Sequence, residues 1–156
     1  MKGQWKDAFD EFERWGIKGI KMDFMNRDDQ QMVEFYEAVA RKAADKKMVV
    51  DFHGAYKPSG LSRKYPNVLT REALIEFEQS GVSDADNPEH HNLLPYIRMF
   101  TGAMDYIPAT MRNANKHNFR HLGDYPMGWG TRAHSMALFV ILSSPMTMLP
   151  SSPSDY

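Results

Sequence analysis

The most constraining feature of the sequence is a short apolar run that ends in a carboxylate and passes directly into a polar loop. It reads GIKGIKMDFMNRDD over residues 16–29, with Asp23 at the end of the run. Ile17, Ile20 and Met22 predict a strand of about four to six residues. In a barrel of alternating strands and helices, the C-terminal strand ends carry the chemistry, because their loops converge on one mouth. Asp23 is therefore a candidate active-site residue, and the alternative is that it pairs with a buried Arg or caps a turn.

The same pattern recurs further along the chain. The apolar run at 48–53 contains Asp51, which lies 28 residues after Asp23, and a helix-like segment separates the two. This spacing fits one strand–helix unit of a parallel sheet. A third carboxylate, Asp105, follows another apolar pair. Several strands are thus predicted to deliver polar residues to one rim.

The remaining pattern predicts alternating helices and strands. An amphipathic helix covers residues 4–15, and a second helix begins after Asp28 or Asp29. The further predicted elements are a strand at 68–71, a helix at 93–101, a strand at 104–107, a helix at 132–142 and a strand at 145–149. Repeated βα order indicates an α/β fold with a parallel sheet, either closed into a barrel or left open. Five strands do not complete a (β/α)8 barrel, which typically needs about 250 residues.

Composition excludes several classes of protein. The 156 residues, 42% hydrophobic and 25% charged, are ordinary for one globular domain. A net charge of -1 without a Lys/Arg cluster argues against a nucleic-acid partner. The longest apolar stretch, residues 136–142, is too short to span a membrane. The absence of Cys excludes a disulfide scaffold and thiolate metal sites.

Three groups of side chains could be functional or structural. Glu72, Glu76 and Glu78 fall within seven residues and could equally form a solvated acidic face. His90 and His91 are adjacent and lack the i, i+4 spacing of a helical zinc pair, so a loop or helix cap is favoured. Three aromatic residues could stack on sugar rings or serve in packing: Tyr56, Tyr65 and Trp129.

Four segments together resemble a known family. They read KMDFMNRDDQ at 21–30, VVDFHGAYKPSGLSRKYPNVLTRE at 49–72, PEHHNLLPYIRMFTGAMDYIPATM at 88–111 and SSPMTMLPSSPSDY at 143–156. Their order and spacing are similar to those of the catalytic barrel of glycoside hydrolase family 97, over nearly the whole chain. Members of that family carry an N-terminal β-sandwich, a (β/α)8 TIM-type barrel and a C-terminal β domain. The resemblance implies that residues 1–156 are a partial catalytic barrel domain, its later strands and helices, without the other parts.

The resemblance also implies a catalytic pair. Asp23 matches the nucleophile of the retaining, α-galactosidase-like branch of the family, and Glu78 matches its acid/base. Inverting members instead carry a Glu base directly after the position of His53, where this sequence has Gly54. Retention takes two carboxyl groups about 5 to 5.5 Å apart, one attacking the anomeric carbon and the other protonating the leaving oxygen.

Further roles follow from the same resemblance. Glu72 resembles one of the carboxylates that hold a calcium ion beside the active site, and Glu78 is a second candidate ligand. Carboxylate oxygens suit calcium better than zinc. Lys21 and His53 resemble groups that contact sugar hydroxyls.

The implied function is retaining hydrolysis of α-galactosides or related α-glycosides through a covalent glycosyl-enzyme intermediate. An oligosaccharide or α-glycoside would be the substrate, calcium the cofactor, and a bacterial periplasmic or secreted location is implied. Exposed sheet edges would favour self-association of the chain. The alternatives are a non-catalytic carbohydrate-binding or scaffold module and a metal-dependent hydrolase that uses Asp and His at strand ends.

Overall fold

A computed structural model describes residues 4–108 and 110–155, and the chain divides into two compact units, Met1–Ala73 and Leu74–Tyr156. The first unit alternates helices and strands as the sequence predicted. Its elements are α1 (Gln4–Arg14), β1 (Gly19–Met22), α2 (Gln30–Asp45), β2 (Val49–Phe52), the single-turn α3 (Leu61–Lys64) and β3 (Val68–Arg71).

The three strands form one parallel sheet in the order β1-β2-β3. Gly19 pairs with Val49, and Val50 pairs with Val68, before an irregularity shifts the register between Val50 and Asp51. Parallel strands joined through helices confirm the predicted α/β class. Asp51 lies inside β2 rather than at the rim: it is 2% exposed and accepts a hydrogen bond from Thr70 Oγ1 at 2.8 Å.

The helices of this unit follow from local sequence. In α1 the apolar residues recur at helical spacing, and the helix is followed by Gly16, whose φ of 77° few other residues adopt readily. Asp29, not Asp28, caps α2, since its side chain accepts from the Met32 N–H at 3.2 Å. The apolar core packs these helices on the sheet and includes Phe9, Tyr36, Val39, Ala40, Ala43, Met48, Val50 and Phe52.

The second unit is less regular. It contains α4 (Pro88–Ile97), β4 (Asn113–Ala114), β5 (Gly128–Trp129), α5 (Arg132–Ile141) and the 3-10 helices Phe77–Gly81, Met99–Thr101 and Pro153–Asp155. The strands expected at 104–107 and 145–149 are wrong. Met104 and Tyr106 are buried, yet residues 104–107 form no continuous ladder, so burial of an apolar segment did not make it a strand. The segment 145–149 begins with Pro145 and is followed by Pro150, and neither proline can donate a backbone hydrogen bond to a strand ladder.

A small apolar cluster holds the second unit together. It comprises Leu94 of α4, Leu138 of α5, and Met104, Tyr106 and Leu142. Asn87 and Thr131 cap the two helices, accepting from the N–H groups of His90 and His134. Among the described residues, the helices are all too short or too polar to cross a bilayer.

Candidate active site

Asp23 lies directly after β1, at the C-terminal end of the parallel sheet. Its side chain is 24% exposed, and Oδ1 accepts a hydrogen bond from the N–H of Phe24 at 2.6 Å. This contact with the adjacent residue uses only one carboxylate oxygen. The second oxygen, Oδ2, faces two basic side chains.

The two side chains belong to His53 and Lys21, for which the family resemblance implied contacts with sugar hydroxyls. His53 Nδ1 lies 3.2 Å from Asp23 Oδ2, and Lys21 Nζ lies 4.0 Å from the same oxygen. His53 is buried with a 5% exposed side chain, whereas Lys21 is more than one-third exposed. A buried imidazole and a partly exposed ammonium thus lie beside the same carboxylate oxygen.

Glu72 joins this group from the end of β3. Its Oε2 lies 3.5 Å from His53 Nδ1 and accepts the backbone N–H of Gly54. Its own N–H donates to the carbonyl of Phe52 at 2.9 Å, which ties the residue to β2. The side chain is 13% exposed, so the solvated acidic face is wrong for Glu72. His53 therefore stands between two carboxylates that come from different strands.

A layer of aromatic rings surrounds the neighbouring Arg71. Its guanidinium lies 4.5 Å from the ring centre of Tyr56 and 5.0 Å from that of Tyr36, and it donates to the Tyr56 carbonyl at 3.2 Å. Such stacking stabilises a buried cation. Burial raises the pKa of Tyr36 to about 12 against the opposing effect of Arg71, so its hydroxyl stays neutral. Tyr56 therefore contacts Arg71 through its ring, and the choice between packing and sugar stacking stays a prediction for this residue.

Sequence reasoning missed Arg71. The only signal was a charged residue at the end of a predicted strand, a position that looks solvent-exposed when read alone. It is in fact 3% exposed. Its burial depends on rings contributed by α2, β2 and the following loop, which no local pattern reveals.

Glu78 belongs to the second unit. It lies in the 3-10 helix Phe77–Gly81 and is exposed, while the preceding Glu76 is 1% exposed. The chain is extended at Glu76, with φ of -126° and ψ of -179°, so Glu72, Glu76 and Glu78 do not lie on one helix. Of the predicted site residues, Lys21, Asp23, His53 and Glu72 come together in the first unit.

A polar network that the sequence did not predict lies in the second unit. Asp86 Oδ1 is 2.9 Å from His91 Nε2 and accepts from the Tyr106 hydroxyl at 3.0 Å. His91 Nδ1 in turn lies 2.9 Å from His134 Nε2. His134 lies in α5, and His91 lies within α4 next to His90, so the loop or helix cap predicted for His90 and His91 is wrong: the cap of α4 is Asn87. Burial, and then His91, lower the pKa of His134, while Asp86 opposes the shift.

Trp129 stacks on a ring inside the second unit. The ring centres of Trp129 and Phe119 are 5.1 Å apart, at an angle of 21°. Phe119 is buried and Trp129 is half-buried. One face of the indole is therefore engaged in packing, and the choice between packing and sugar stacking stays a prediction for this residue.

The sequence matches known proteins along most of its length. The family model described as Glycoside hydrolase 97 matches residues 1–74. A retaining alpha-galactosidase of Bacteroides thetaiotaomicron is 42% identical over 147 residues, which are 93% of this chain and 22% of that protein. A probable retaining alpha-galactosidase of Streptomyces bingchenggensis is 30% identical over 144 residues, 92% of this chain and 20% of that protein.

Solved structures match the fold as well. A glycoside hydrolase family 97 enzyme from Pseudoalteromonas sp. strain K8, in complex with panose, superimposes with a TM-score of 0.78 at 27% identity, covering 98% of this chain and 26% of that one. A beta-arabinopyranosidase gives 0.72 at 26% identity, covering 96% and 24%. The chain thus spans about a quarter or less of the length of the relatives it matches.

Proposed function

Because the chain belongs to glycoside hydrolase family 97, we propose that the protein containing it hydrolyses α-galactosides or related α-glycosides with retention of anomeric configuration. The substrate class comes from the two relatives described as retaining alpha-galactosidases. The observation that carries the proposal is Asp23, a carboxylate at the end of a parallel strand with Oδ2 facing His53 and Lys21.

The proposed reaction has two steps. Asp23 attacks the anomeric carbon as the glycosidic bond breaks, and Glu78 gives a proton to the leaving oxygen, so that a glycosyl ester forms on Asp23. Glu78 then takes a proton from water, whose oxygen attacks the anomeric carbon and releases the Asp23 carboxylate. Two inversions at one carbon give net retention.

His53 and Lys21 would act on the sugar and on the nucleophile together. His53 is buried and held between Asp23 and Glu72, so it can fix the orientation of the Asp23 carboxylate. Lys21, more than one-third exposed, can reach a sugar hydroxyl while staying near Asp23 Oδ2. Contacts of this kind hold the reacting atoms in line, which contributes a large share of catalysis in such sites.

We also propose calcium as the cofactor, with Glu72 and Glu78 as the candidate ligands. The donor chemistry fits, since both side chains offer carboxylate oxygens and the chain contains no Cys. Glu72 is oriented by the Gly54 N–H, the kind of supporting hydrogen bond that fixes a ligating carboxylate. Bound calcium would supply positive charge near the substrate.

The architecture proposed for the longer protein is a (β/α)8 barrel, of which this chain forms later strands and helices. The parallel β1-β2-β3 sheet and the coverage of the relatives support it. We further propose that the isolated chain self-associates, because α5 leaves Met136, Val140 and Ile141 between 51% and 80% exposed. Sedimentation that gives a stable monomer would contradict self-association.

The test of function uses Asp23→Ala in a protein of the relatives' length that contains this chain. We expect turnover of 4-nitrophenyl α-galactoside to fall at least about 10⁴-fold, because no covalent intermediate can form. Azide should restore part of it by attacking from the vacated face, giving the glycosyl azide of inverted configuration. Asp28→Ala, an exposed carboxylate of the same loop, is the matched control and should retain activity.

Two outcomes would contradict the proposal. If Asp23→Ala keeps its turnover, Asp23 is not the nucleophile. If NMR shows that the first-formed product has the inverted anomeric configuration, the reaction does not proceed with retention. For calcium, thermal unfolding with and without the ion provides the readout. Calcium should raise the Tm of the wild type by mass action, and Glu72→Gln should need more calcium for the same rise.

A further inference from the structure

The loop that follows Asp23 has an unusual backbone. Phe24 has a φ of 62° and Asn26 a φ of 47°, both in the left-handed region. Asn adopts this conformation readily, but for a bulky residue such as Phe it is a rare and strained state. Phe24 is also 84% exposed, so its side chain gains little from packing. Backbone strain of this kind persists only where the surroundings over-determine it.

The surroundings in this case are the residues that follow β2. The N–H of Asn26 donates to the carbonyl of Gly54 at 2.8 Å, and the N–H of His53 donates to the carbonyl of Met22 at 2.8 Å. These two bonds bracket the turn between Met22 and Asn26. The conformation of Asp23 therefore depends on a backbone contact with a segment 30 residues further along the chain.

Gly54 fits this contact only because it lacks a side chain. A Cβ atom there would lie 2.9 Å from the Phe24 backbone nitrogen, 3.0 Å from Asn26 Oδ1 and 3.2 Å from Asp23 Oδ1. One of these neighbours is backbone and cannot rotate away. Gly54 also has a φ of 54°, and its N–H donates to Glu72. A single residue thus contacts the loop of Asp23 on one side and the Glu72 carboxylate on the other.

We propose that Gly54 is a positioning residue for Asp23: its bare Cα and its carbonyl hold the loop in the one conformation that presents the carboxylate. The inference rests on the proposed role of Asp23 as nucleophile. Any side chain at position 54 would push the Phe24 backbone away, and the Asp23 carboxylate would move with it. Gly54 itself would touch neither the substrate nor the reacting atoms.

The test measures the loop directly, in the 156-residue chain. Amide hydrogen exchange should show Asn26 protected in the wild type, and the Phe24 amide proton shift should follow protonation of Asp23, because that N–H donates to Oδ1. In Gly54→Ala we expect Asn26 protection to fall at least about tenfold and the Phe24 response to become smaller, since the added methyl crowds the Phe24 nitrogen and the side chains of Asp23 and Asn26.

Two further variants separate the collision from the backbone conformation. Gly54→Asn tolerates a positive φ but keeps the Cβ collision, so it should fail as Gly54→Ala does. Gly16 has a φ of 77° with nothing within 4 Å of its Cβ position, so Gly16→Ala incurs the strain without a collision. Gly16→Ala should therefore leave the Asn26 and Phe24 signals unchanged.

The outcomes are decisive either way. The proposal is overturned if Gly54→Asn keeps the wild-type Asn26 protection and Phe24 response, or if Gly16→Ala loses them to the same extent. In a protein of full length, Gly54→Ala should lower kcat about 100-fold, the effect of a misplacement near 1 Å, with KM changed less than about twofold. If Gly54→Ala keeps the wild-type Asn26 protection and Phe24 response while Asp23→Ala is inactive, this inference is wrong. The proposed function would still hold in that case.

Discussion

The two units of this chain are stabilised in different ways. The first, Met1–Ala73, packs two long helices on a parallel sheet around a continuous apolar core. The second, Leu74–Tyr156, has short elements and a small apolar cluster, with buried polar groups such as Asp86, His91 and Arg98 among them. Arg98 is 2% exposed and donates to the Gly102 carbonyl at 2.9 Å.

The difference shows that an apolar core and a buried polar network respond differently to mutation. Apolar burial is non-directional, so a core built on it tolerates small changes in geometry. A buried polar network depends on each donor meeting its acceptor, and an unmet partner costs a full desolvation penalty. The first unit should therefore respond most to loss of volume, and the second to loss of a hydrogen-bond partner.

The largest expected effect is in the core of the first unit. Phe52 is fully buried, and its ring centre lies 4.5 Å from that of Tyr36. Phe52→Ala should lower the free energy of unfolding by about 3–5 kcal/mol, through lost transfer energy and a cavity. Urea denaturation measures it, with Phe24→Ala as the control. Phe24 is 84% exposed and should change stability by less than about 0.5 kcal/mol.

A smaller effect is expected from the network of the second unit. Asp86→Ala removes the acceptor of both His91 and Tyr106, so stability should fall by about 2–3 kcal/mol. Asp84 is the matched control: its side chain is 69% exposed and only pairs with His121 at 3.2 Å. Asp84→Ala should cost less than about 1 kcal/mol. Equal losses in the two variants would contradict the contrast between buried and exposed pairs.

A pH effect should come from His134. Burial lowers its pKa from 6.5, so the folded chain binds this proton less well than the unfolded chain does. The contribution of His134 to stability is therefore full above pH 6.5 and declines as the pH falls below it. Asp86 and His91 are the groups that face it. Unfolding midpoints in urea at pH 7.5 and 5.5 should differ less in His134→Gln, while the exposed His117→Gln should keep the wild-type difference.

The smallest expected effect lies on the surface of the first unit. Lys42, and then Lys46, lower the pKa of Asp10 from 3.8 to about 2 through hydrogen bonds. An NMR titration of Asp10 should show this midpoint, and Lys42→Ala should move it back toward 3.8. The pairs are exposed, so added salt should weaken them. A midpoint near 3.8 in the wild type would show that the contacts do not form in solution.

Much of the first unit was predictable from sequence. The helices around Phe9 and Tyr36 and the strands near Met22 and Val50 appear where periodicity placed them, because burial of one face imposes a regular spacing. In the second unit the periodicity predicted a strand at residues 104–107, but the apolar residues there are buried without forming a strand ladder. Burial alone is ambiguous when the segment is short and its partners are distant.

The candidate site was predictable only in part. Asp23 could be placed at a strand end, and resemblance singled out Lys21, His53 and Glu72, which the structure brings together. Arg71 and the Asp86 network carried no local signal. Their importance arises from burial, and burial of a charged side chain cannot be read from its immediate neighbours in sequence.

The sequence by itself determined the α/β class, the succession of helices and strands along the first unit and the residue at the end of β1, because these depend on spacing along the chain. Tertiary structure alone decided that His53 faces both Asp23 and Glu72 and that Gly54 has no room for a side chain. Those facts involve residues up to 49 positions apart, brought together by the parallel pairing of three strands. Distances of a few tenths of an ångström decide such contacts, and only the packed chain sets them.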